Sequence, residues 1–176
     1  SISGYAELMM NGMVRPENIK DFSGRIYKEA NRLGNLVADI IQLSRLDEQQ
    51  DSNVAMENVN LDELAEDVVS NLIEHARKKD IRMEYYGKSV EILGVRHVLY
   101  EMLYNIADNA VRYTNPGGHI RIYVGKKGDK PYYMVEDNGI GIPKSEQKRI
   151  FERFYRVDKS HSRQTGGTGL GLSIVK

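Results

Sequence analysis

Asparagine, aspartate and glycine recur in three short segments of the second half of the chain, and each segment suggests a chemistry. The first segment contains Asn105 and Asn109, which are neighbours on one face if the segment is helical. An amide oxygen is a suitable ligand for Mg²⁺, an ion that usually keeps several waters and takes its other ligands from phosphates. Two asparagines that only hydrogen-bond a neighbouring loop are the simpler interpretation, and for this motif alone we favour it.

The second segment reads Glu-Asp-Asn-Gly-Ile-Gly-Ile-Pro from residue 136 to residue 143. The carboxylate of Asp137, at the end of a predicted strand, is able to accept a hydrogen bond from the exocyclic amine of adenine. Gly139 and Gly141 would let the backbone pass close to a flat ring, because glycine has no Cβ. An ordinary connecting loop has a similar composition, so this motif alone is weak.

The third segment reads Gln-Thr-Gly-Gly-Thr-Gly-Leu-Gly-Leu-Ser-Ile-Val-Lys from residue 164 to residue 176. The backbone amides of a glycine-rich loop and the start of a following helix suit anionic phosphates. The segment is neither a Walker loop, which requires Gly-Lys-Ser/Thr, nor a dinucleotide fingerprint, which follows a strand. A flexible linker is disfavoured because the glycines stop abruptly at an apolar run.

Aromatic residues lie among charged ones between the second and third segments, at Phe151, Phe154 and Tyr155. They would act as a hinge that packs only when a ligand is bound, or they would simply pack into the core. The second interpretation is at least as good for Phe151 alone.

A helix is predicted to begin near residue 60 and to support these segments. Asn60 is a suitable N-cap, and Glu63 three residues later completes a capping box. The predicted buried face of this helix consists of Leu61, Leu64, Ala65, Val68, Val69, Leu72, Ile73 and Ala76.

Strands and a second helix follow in the hydrophobic pattern, with a turn at Asn115-Pro-Gly-Gly118. The order of helix, strands, helix and hairpin predicts an α+β sandwich with helices on one face of a sheet. The predicted elements are strands at residues 81–86 and 90–93, an apolar helix at 98–111, and hairpin strands at 120–124 and 132–136.

The first fifty residues predict a helical hairpin. Asn11-Gly12 interrupts the helical pattern, and Pro16 fits the first turn of a new helix. A heptad-like apolar stripe follows, which a two-helix hairpin alone leaves uncovered. Dimerisation into a four-helix bundle and packing against the rest of the same chain explain the stripe equally well. It consists of Ile19, Phe22, Ile26, Leu33, Val37 and Ile40.

Composition excludes several classes of protein. The 176 residues carry 25 Lys+Arg and 25 Asp+Glu, and this balance argues against a bulk nucleic-acid binder. There is no cysteine, so disulfides and thiol chemistry are excluded. No uncharged apolar run reaches the length of a membrane span, and no signal peptide is visible.

The order of the segments resembles that of the catalytic core of sensor histidine kinases, in which a HisKA hairpin precedes a HATPase_c domain of the Bergerat ATP-binding type. Each motif alone is modest, but the four in this order are specific. Residues 105–114 resemble the N box, 137–141 the G1 box, 151–155 the F box and 167–171 the G2 box.

The resemblance implies two domains. Residues 1–50 would be part of the dimerisation and histidine phosphotransfer hairpin, which forms a four-helix bundle in a dimer. Residues 54–176 would be the catalytic ATP-binding domain, an α/β sandwich that lacks the last strands of the family's sheet.

Roles for individual residues follow from the same resemblance. Asn109 would bind Mg²⁺ with Asn105 beside it, Asp137 would read the adenine amine, and residues 143–168 would form a mobile ATP lid. The other implied nucleotide-binding residues are Arg112, Tyr113, Gly139, Gly141, Ile142, Arg156, Gly167, Thr168, Gly169, Leu170 and Gly171.

The implied activity is that of an ATP:protein-L-histidine phosphotransferase, which moves the γ-phosphate of Mg-ATP to a histidine and then to a response-regulator aspartate. The implied partners are a second copy, through the hairpin, and a receiver domain; no nucleic acid or membrane contact is expected of this cytoplasmic segment. The alternative is a non-catalytic dimeric nucleotide-sensing module. Another ATPase of this fold is a weaker alternative, because it would need a carboxylate where Asn105 stands.

The sequence departs from the family at both ends. The phosphoacceptor pattern, His-Glu/Asp-x-x-Thr-Pro, would lie about eight residues before Ser1, roughly 12 Å along a helix. The family's closing strands do not appear before Lys176. We therefore expect weak nucleotide binding and no autophosphorylation by this chain alone. The histidines that do not match the pattern are His75, His97, His119 and His161.

Overall fold

A computed structural model describes residues 2–49, 55–157 and 169–175 of the chain. The first part is the predicted hairpin: helix α1 spans Ile2–Met10, a short 3-10 turn spans Pro16–Asn18, and helix α2 spans Ile19–Gln49. The turn between them depends on Gly12, whose φ of +67° is one that side chains rarely adopt.

The apolar stripe of the hairpin is largely uncovered. The rings of Tyr5 and Phe22 meet edge to face with centroids 5.5 Å apart, which joins the two helices near the turn. Further along α2, however, Leu33 is 43% exposed, Val37 54% and Ile40 45%. The described hairpin therefore leaves exposed the surface that the sequence predicted would need a partner.

An α+β unit follows, as predicted. Its strands form a two-stranded antiparallel pair, β1 with β3, and a three-stranded sheet in the order β2-β4-β5. Strand β4 pairs parallel to β2 and antiparallel to β5. The elements are β1 Glu57–Asn60, α3 Leu61–Lys78, β2 Arg82–Tyr86, β3 Glu91–Gly94, α4 Arg96–Tyr113, β4 His119–Lys127, β5 Lys130–Asp137 and α5 Gly171–Ile174.

Helix α3 begins where the capping residue was predicted, with one difference in the cap. The side chain of Asn60 accepts a hydrogen bond from the backbone of Asp62 at 3.1 Å. Its amide also donates to the carboxylate of Glu63 at 3.1 Å, so Glu63 contacts the cap side chain. In a capping box the glutamate reaches the cap backbone instead.

The core of the α+β unit lies between helices α3 and α4 and one face of the three-stranded sheet. Ile120, Ile122 and Val124 alternate inward along β4 and are at most 2% exposed, as period-two spacing requires. Helix α4 contributes the fully buried Leu103 and Ala107. The predicted buried face of α3 was wrong at Ile73, which is 44% exposed because the face against the core is narrower than the predicted stripe.

No helix in the described ranges combines the length and apolar character needed to cross a bilayer.

Candidate nucleotide-binding site

Helix α4 has two faces with different tasks. Leu103, Ala107, Ala110 and Val111 are buried against the core. The other face carries four of the predicted site residues at spacings of four, three and one, which place them in one stripe along the helix. This asparagine stripe consists of Asn105, Asn109, Arg112 and Tyr113, all partly buried.

The asparagine stripe meets the start of α5. The side-chain oxygen of Asn105 lies 2.9 Å from the point that a Cβ on Gly171 would occupy, so the close approach depends on glycine. Leu170 is fully buried just before α5, and its carbonyl accepts a hydrogen bond from the hydroxyl of Ser173 at 2.7 Å. The first and third segments of the sequence are thus brought together.

The second segment reaches the other end of the same stripe. Residues 137–143, which we term the aspartate loop, begin at the last residue of β5. A side-chain oxygen of Asp137 accepts a hydrogen bond from the backbone of Gly139 at 2.9 Å. The backbone N–H of Ile140 then donates to the carbonyl of Tyr113 at 3.1 Å. A Cβ on Gly139 would lie 2.4 Å from that carbonyl oxygen, so glycine is required here too.

The rest of the aspartate loop is exposed. Gly141 has a φ of +68°, which glycine adopts readily. Ile142 is 43% exposed, and its carbonyl accepts a hydrogen bond from the side chain of Gln147 at 3.2 Å. The loop that begins with Asp137 therefore also offers an exposed apolar side chain and exposed backbone.

Asn138 positions the aspartate loop in a way that sequence reasoning missed. Its side-chain oxygen accepts a hydrogen bond from the backbone of His119 at 2.8 Å. Its own N–H donates to the carbonyl of His119 at 3.3 Å. The asparagine thus ties the residue after Asp137 to the start of β4. The signal was available in the sequence, since asparagine side chains commonly bond to nearby backbone at turns.

Arg112 is held along the helix. Its Nε lies 2.6 Å from a carboxylate oxygen of Asp108, one turn earlier, and its side chain remains 37% exposed. This charged hydrogen bond limits the conformations of the guanidinium while leaving it accessible within the asparagine stripe.

The aromatic segment contacts the glycine-rich segment. The N–H of Phe154 donates to the carbonyl of Gly169 at 3.0 Å, and both residues have positive φ, +63° and +79°. Phe151 and Phe154 remain 37% and 55% exposed, so neither belongs to the core. Arg156, close to this contact, is partly buried.

Tyr155 belongs to a small polar cluster in the same segment. Its hydroxyl hydrogen-bonds the carboxylate of Glu146, and the guanidinium of Arg149 lies 4.0 Å from the centre of its ring. The hydrogen bond to Glu146 raises the pKa of the Tyr155 phenol. Gly167 and Thr168 fall outside the described residues, as does most of the second half of the predicted lid.

The donors at the site suit a cation that is bound largely through phosphates. Among the described residues no three histidine, cysteine, aspartate or glutamate side chains group into a metal-binding cluster. Neutral amides such as Asn105 and Asn109 supply one or two oxygen ligands at most. That set fits Mg²⁺ carried by a nucleotide better than a cation held by protein alone.

None of the histidines among the described residues belongs to the asparagine stripe. His75 is exposed near the end of α3, His97 is exposed at the start of α4, and His119 begins β4. His161 falls outside the described residues.

A helical hairpin followed by this sandwich, with an asparagine stripe between an aspartate loop and a glycine-rich helix start, defines a kinase core of the two-component type. Residues 94–176 match the family described as histidine kinase-, DNA gyrase B- and HSP90-like ATPase. Residues 1–49 match the His Kinase A (phospho-acceptor) domain. The chain belongs to the sensor histidine kinases and forms part of their catalytic core.

Individual relatives agree with this assignment. The sensor-like histidine kinase SenX3 of Mycobacterium tuberculosis is 37% identical over 172 residues, which are 97% of this chain and 42% of SenX3. Histidine kinase ThkA, solved in complex with the response regulator protein TrrA, has a TM-score of 0.72 at 25% identity. The match covers 88% of this chain and 46% of the ThkA chain. ShkA, solved with AMPPNP, has a TM-score of 0.70 at 25% identity. The match covers 92% of this chain and 33% of the ShkA chain. The chain spans less than half the length of these relatives.

Proposed function

We propose that this chain binds Mg-ATP for phosphoryl transfer to a histidine and then to a response-regulator aspartate. The observation that carries the proposal is that one helix, α4, contacts both the aspartate loop and the start of α5. A nucleotide placed along the asparagine stripe would have an adenine reader at one end and glycine-rich backbone at the other. In this proposal residues 1–50 form part of the hairpin and residues 54–176 form the ATP-binding domain.

At the adenine end, Asp137 would accept a hydrogen bond from the exocyclic amine. Its bond to the N–H of Gly139 fixes the direction of the carboxylate. The open backbone around Gly141 and the exposed side chain of Ile142 would lie against the flat ring. Tyr113 would line the pocket beside them.

At the phosphate end, Asn109 would hold Mg²⁺, with Asn105 next to it. Mg²⁺ would neutralise charge that develops on the phosphates during transfer. Gly169, Leu170 and Gly171, with Gly167 and Thr168 before them, would supply backbone N–H groups to the phosphate oxygens. Arg112 and Arg156 are proposed as the cationic side chains of the site.

The hairpin would pair with a second copy to form a four-helix bundle. The exposure of Leu33, Val37 and Ile40 supports this, since a contiguous exposed apolar stripe is typical of a surface that binds another protein. ThkA was solved with a response regulator, and we propose a receiver domain as the second partner here. The phosphoryl group would pass from ATP to a histidine nitrogen, releasing ADP, and from there to an aspartate oxygen.

Calorimetric titration of the chain with ATP tests the site. We expect tighter binding with Mg²⁺ than with EDTA, and loss of that difference in Asn109→Ala. Asn31→Ala is the matched control, because Asn31 is an exposed helical asparagine in α2. An Asn109→Ala chain that keeps its Mg²⁺-dependent affinity would remove this residue from the metal role. Absence of binding at millimolar ATP in the wild-type chain would overturn the proposal.

A further inference from the structure

The last turn of α4 presents backbone carbonyls that the helix itself does not use. An α-helix leaves its final four carbonyl groups without intrahelical partners, and they must be satisfied elsewhere. In α4 the carbonyl of Ala110 is satisfied by the N–H of Thr114 at 3.0 Å. The carbonyls of residues 111 to 114 are those that need other donors.

Lys79 supplies most of these donors. Its ammonium nitrogen lies 2.8 Å from the carbonyl oxygen of Val111, 2.9 Å from that of Arg112 and 3.2 Å from that of Thr114. An ammonium has three donors and no acceptor, so these bonds use its full capacity. They are charge-assisted, and the cation also sits at the negative end of the helix dipole.

The carbonyl that Lys79 leaves out is that of Tyr113, and this one accepts the N–H of Ile140 at 3.1 Å. A single helical turn is therefore shared between a lysine from the end of α3 and the aspartate loop. Withdrawing the lysine would leave three buried or half-buried carbonyls without a donor, and the turn would have to rearrange to find water. The Tyr113 carbonyl, which belongs to the same turn, would move with it.

The backbone that carries Lys79 is itself fixed. Asp80, the next residue, has a φ of +58°, the left-handed conformation in which helices often end, and its N–H donates to the carbonyl of Arg77 at 3.0 Å. The Asp80 carbonyl accepts the N–H of Gly117 at 2.8 Å, and the N–H of Arg82 donates to the carbonyl of Gly118 at 3.0 Å. The lysine thus extends from a rigid turn that is already attached to the connection after α4.

We propose that Lys79 is a positioning residue for the adenine end of the nucleotide site. It would fix the last turn of α4, and through the Tyr113 carbonyl it would fix the aspartate loop that carries Asp137. The inference rests on the proposed function for its reference to adenine. Asn109 lies one turn before Tyr113, about 6 Å along the axis, so the metal end would be affected less.

The test compares ATP with inosine triphosphate, which has a carbonyl oxygen in place of the adenine amine. The variants are Lys79→Met, and Lys78→Met as control, because Lys78 is the exposed neighbour at the end of α3. We expect Lys79→Met to weaken ATP binding about tenfold, the equivalent of roughly one net charge-assisted hydrogen bond. Binding of inosine triphosphate should change less than threefold. The ratio of ATP affinity to inosine triphosphate affinity should therefore fall.

A general loss of folded protein would weaken both nucleotides equally and leave this ratio unchanged, and that result overturns the inference. Lys79→Arg, which keeps the charge, should restore part of the preference for ATP over inosine triphosphate. Should Lys79→Met fail to fold, Lys79→Gln takes its place, and a ratio equal to that of the wild type again overturns the inference.

Amide hydrogen exchange without nucleotide separates this inference from the proposed function. If Lys79 holds the loop, exchange at the N–H of Ile140 becomes faster in Lys79→Met and stays unchanged in Lys78→Met. Equal exchange in both variants overturns the inference even where the wild-type chain binds ATP. A wild-type chain that binds both nucleotides equally would refute the adenine-reading role of Asp137, while faster exchange at Ile140 would still support Lys79 as the residue that positions the loop.

Discussion

Replacing Gly139 with alanine should detach the aspartate loop from α4. The new Cβ would lie 2.4 Å from the carbonyl oxygen of Tyr113 and 2.9 Å from a carboxylate oxygen of Asp137. Both are far inside ordinary contact distance, and the Tyr113 oxygen belongs to a backbone that cannot swing aside as the end of a side chain could. These two oxygens are also the acceptors of the hydrogen bonds that hold the loop.

The size of the effect follows from the distances. Relieving the clash requires a shift of roughly 1 Å, which would lengthen the 3.1 Å bond between Ile140 and Tyr113 beyond hydrogen-bonding range. Losing that bond and leaving its acceptor poorly satisfied costs about 1–3 kcal/mol. Because about 1.4 kcal/mol is a factor of ten, we expect ATP affinity to fall by about 5- to 150-fold.

The measurement is calorimetric titration of the Gly139→Ala chain with ATP and Mg²⁺, with thermal unfolding recorded in parallel. Gly118→Ala is an unsuitable control, since its Cβ would lie 2.3 Å from the side chain of Thr114. Gly24→Ala is suitable, because no atom lies within 4 Å of its Cβ position and Gly24 is in helix α2. That variant should keep the wild-type ATP affinity.

ATP affinity in Gly139→Ala within twofold of the wild-type value would refute the reasoning, provided that the chain is folded. Such a result would mean that the loop tolerates displacement, or that Asp137 does not contact the base. Crossing the variant with Asp137→Asn distinguishes these cases. If Gly139 acts only through Asp137, the double variant should bind ATP no more weakly than Asp137→Asn alone.

Further predictions concern stability and the hairpin. Asn60→Ala should lower the free energy of unfolding of the α+β unit by about 1 kcal/mol in urea titration, because it removes the cap of α3; no change would show that Glu63 and the backbone compensate. Gly34→Ala should raise the helicity and melting temperature of the hairpin by circular dichroism, since its Cβ position is open and alanine favours helix by about 0.5–1 kcal/mol; a lower melting temperature would indicate that this face of α2 is covered. Burial raises the pKa of the Tyr133 phenol, so the stability that the neutral phenol contributes should be fully present below about pH 10 and fall as pH rises above it. Tyr133→Phe should remove that part of the pH dependence of the free energy of unfolding. An unaltered dependence of unfolding on pH in this variant would contradict the prediction. The 176-residue chain incubated with Mg-ATP should acquire no acid-labile phosphate, and detection of such phosphate by autoradiography would contradict the expectation that none of its four histidines is the phosphoacceptor.

Much of the fold could be predicted because its elements have strong periodic patterns. The alternation of Ile120, Ile122 and Val124 identified β4, and the cap at Asn60 located the start of α3 within one residue. The parallel pairing of β2 with β4 could not be read, since it depends on where α4 returns the chain. Ile73 was misassigned because α3 buries a narrower strip against the core than the apolar pattern suggests.

The candidate site was predictable in its residue types and less so in its supports. Asn105 and Gly171 were both named from the sequence, yet their contact joins positions 66 residues apart and was not foreseen. Lys79 resembled any surface lysine, because its three acceptors are main-chain carbonyls 32, 33 and 35 residues away. Every residue has a main-chain carbonyl, so a bond to one does not depend on the type of the accepting residue. The sequence pattern alone therefore does not reveal such a contact.

The bond between Asn138 and His119 has a consequence for how the chain leaves the sheet. In an antiparallel ladder the N–H of His119 would bond to the main-chain carbonyl of the residue opposite, but here the side-chain oxygen of Asn138 takes that place. The main-chain carbonyl of Asn138 is therefore not needed for this bond, and the chain is able to turn toward α4 at this residue. The last rung of the ladder, between His119 and Asn138, is still closed. Asp137 is thus followed by a closed rung rather than standing at a fraying strand end. The N–H of His119, which is hydrogen-bonded in that rung, should exchange as slowly as that of an interior strand residue.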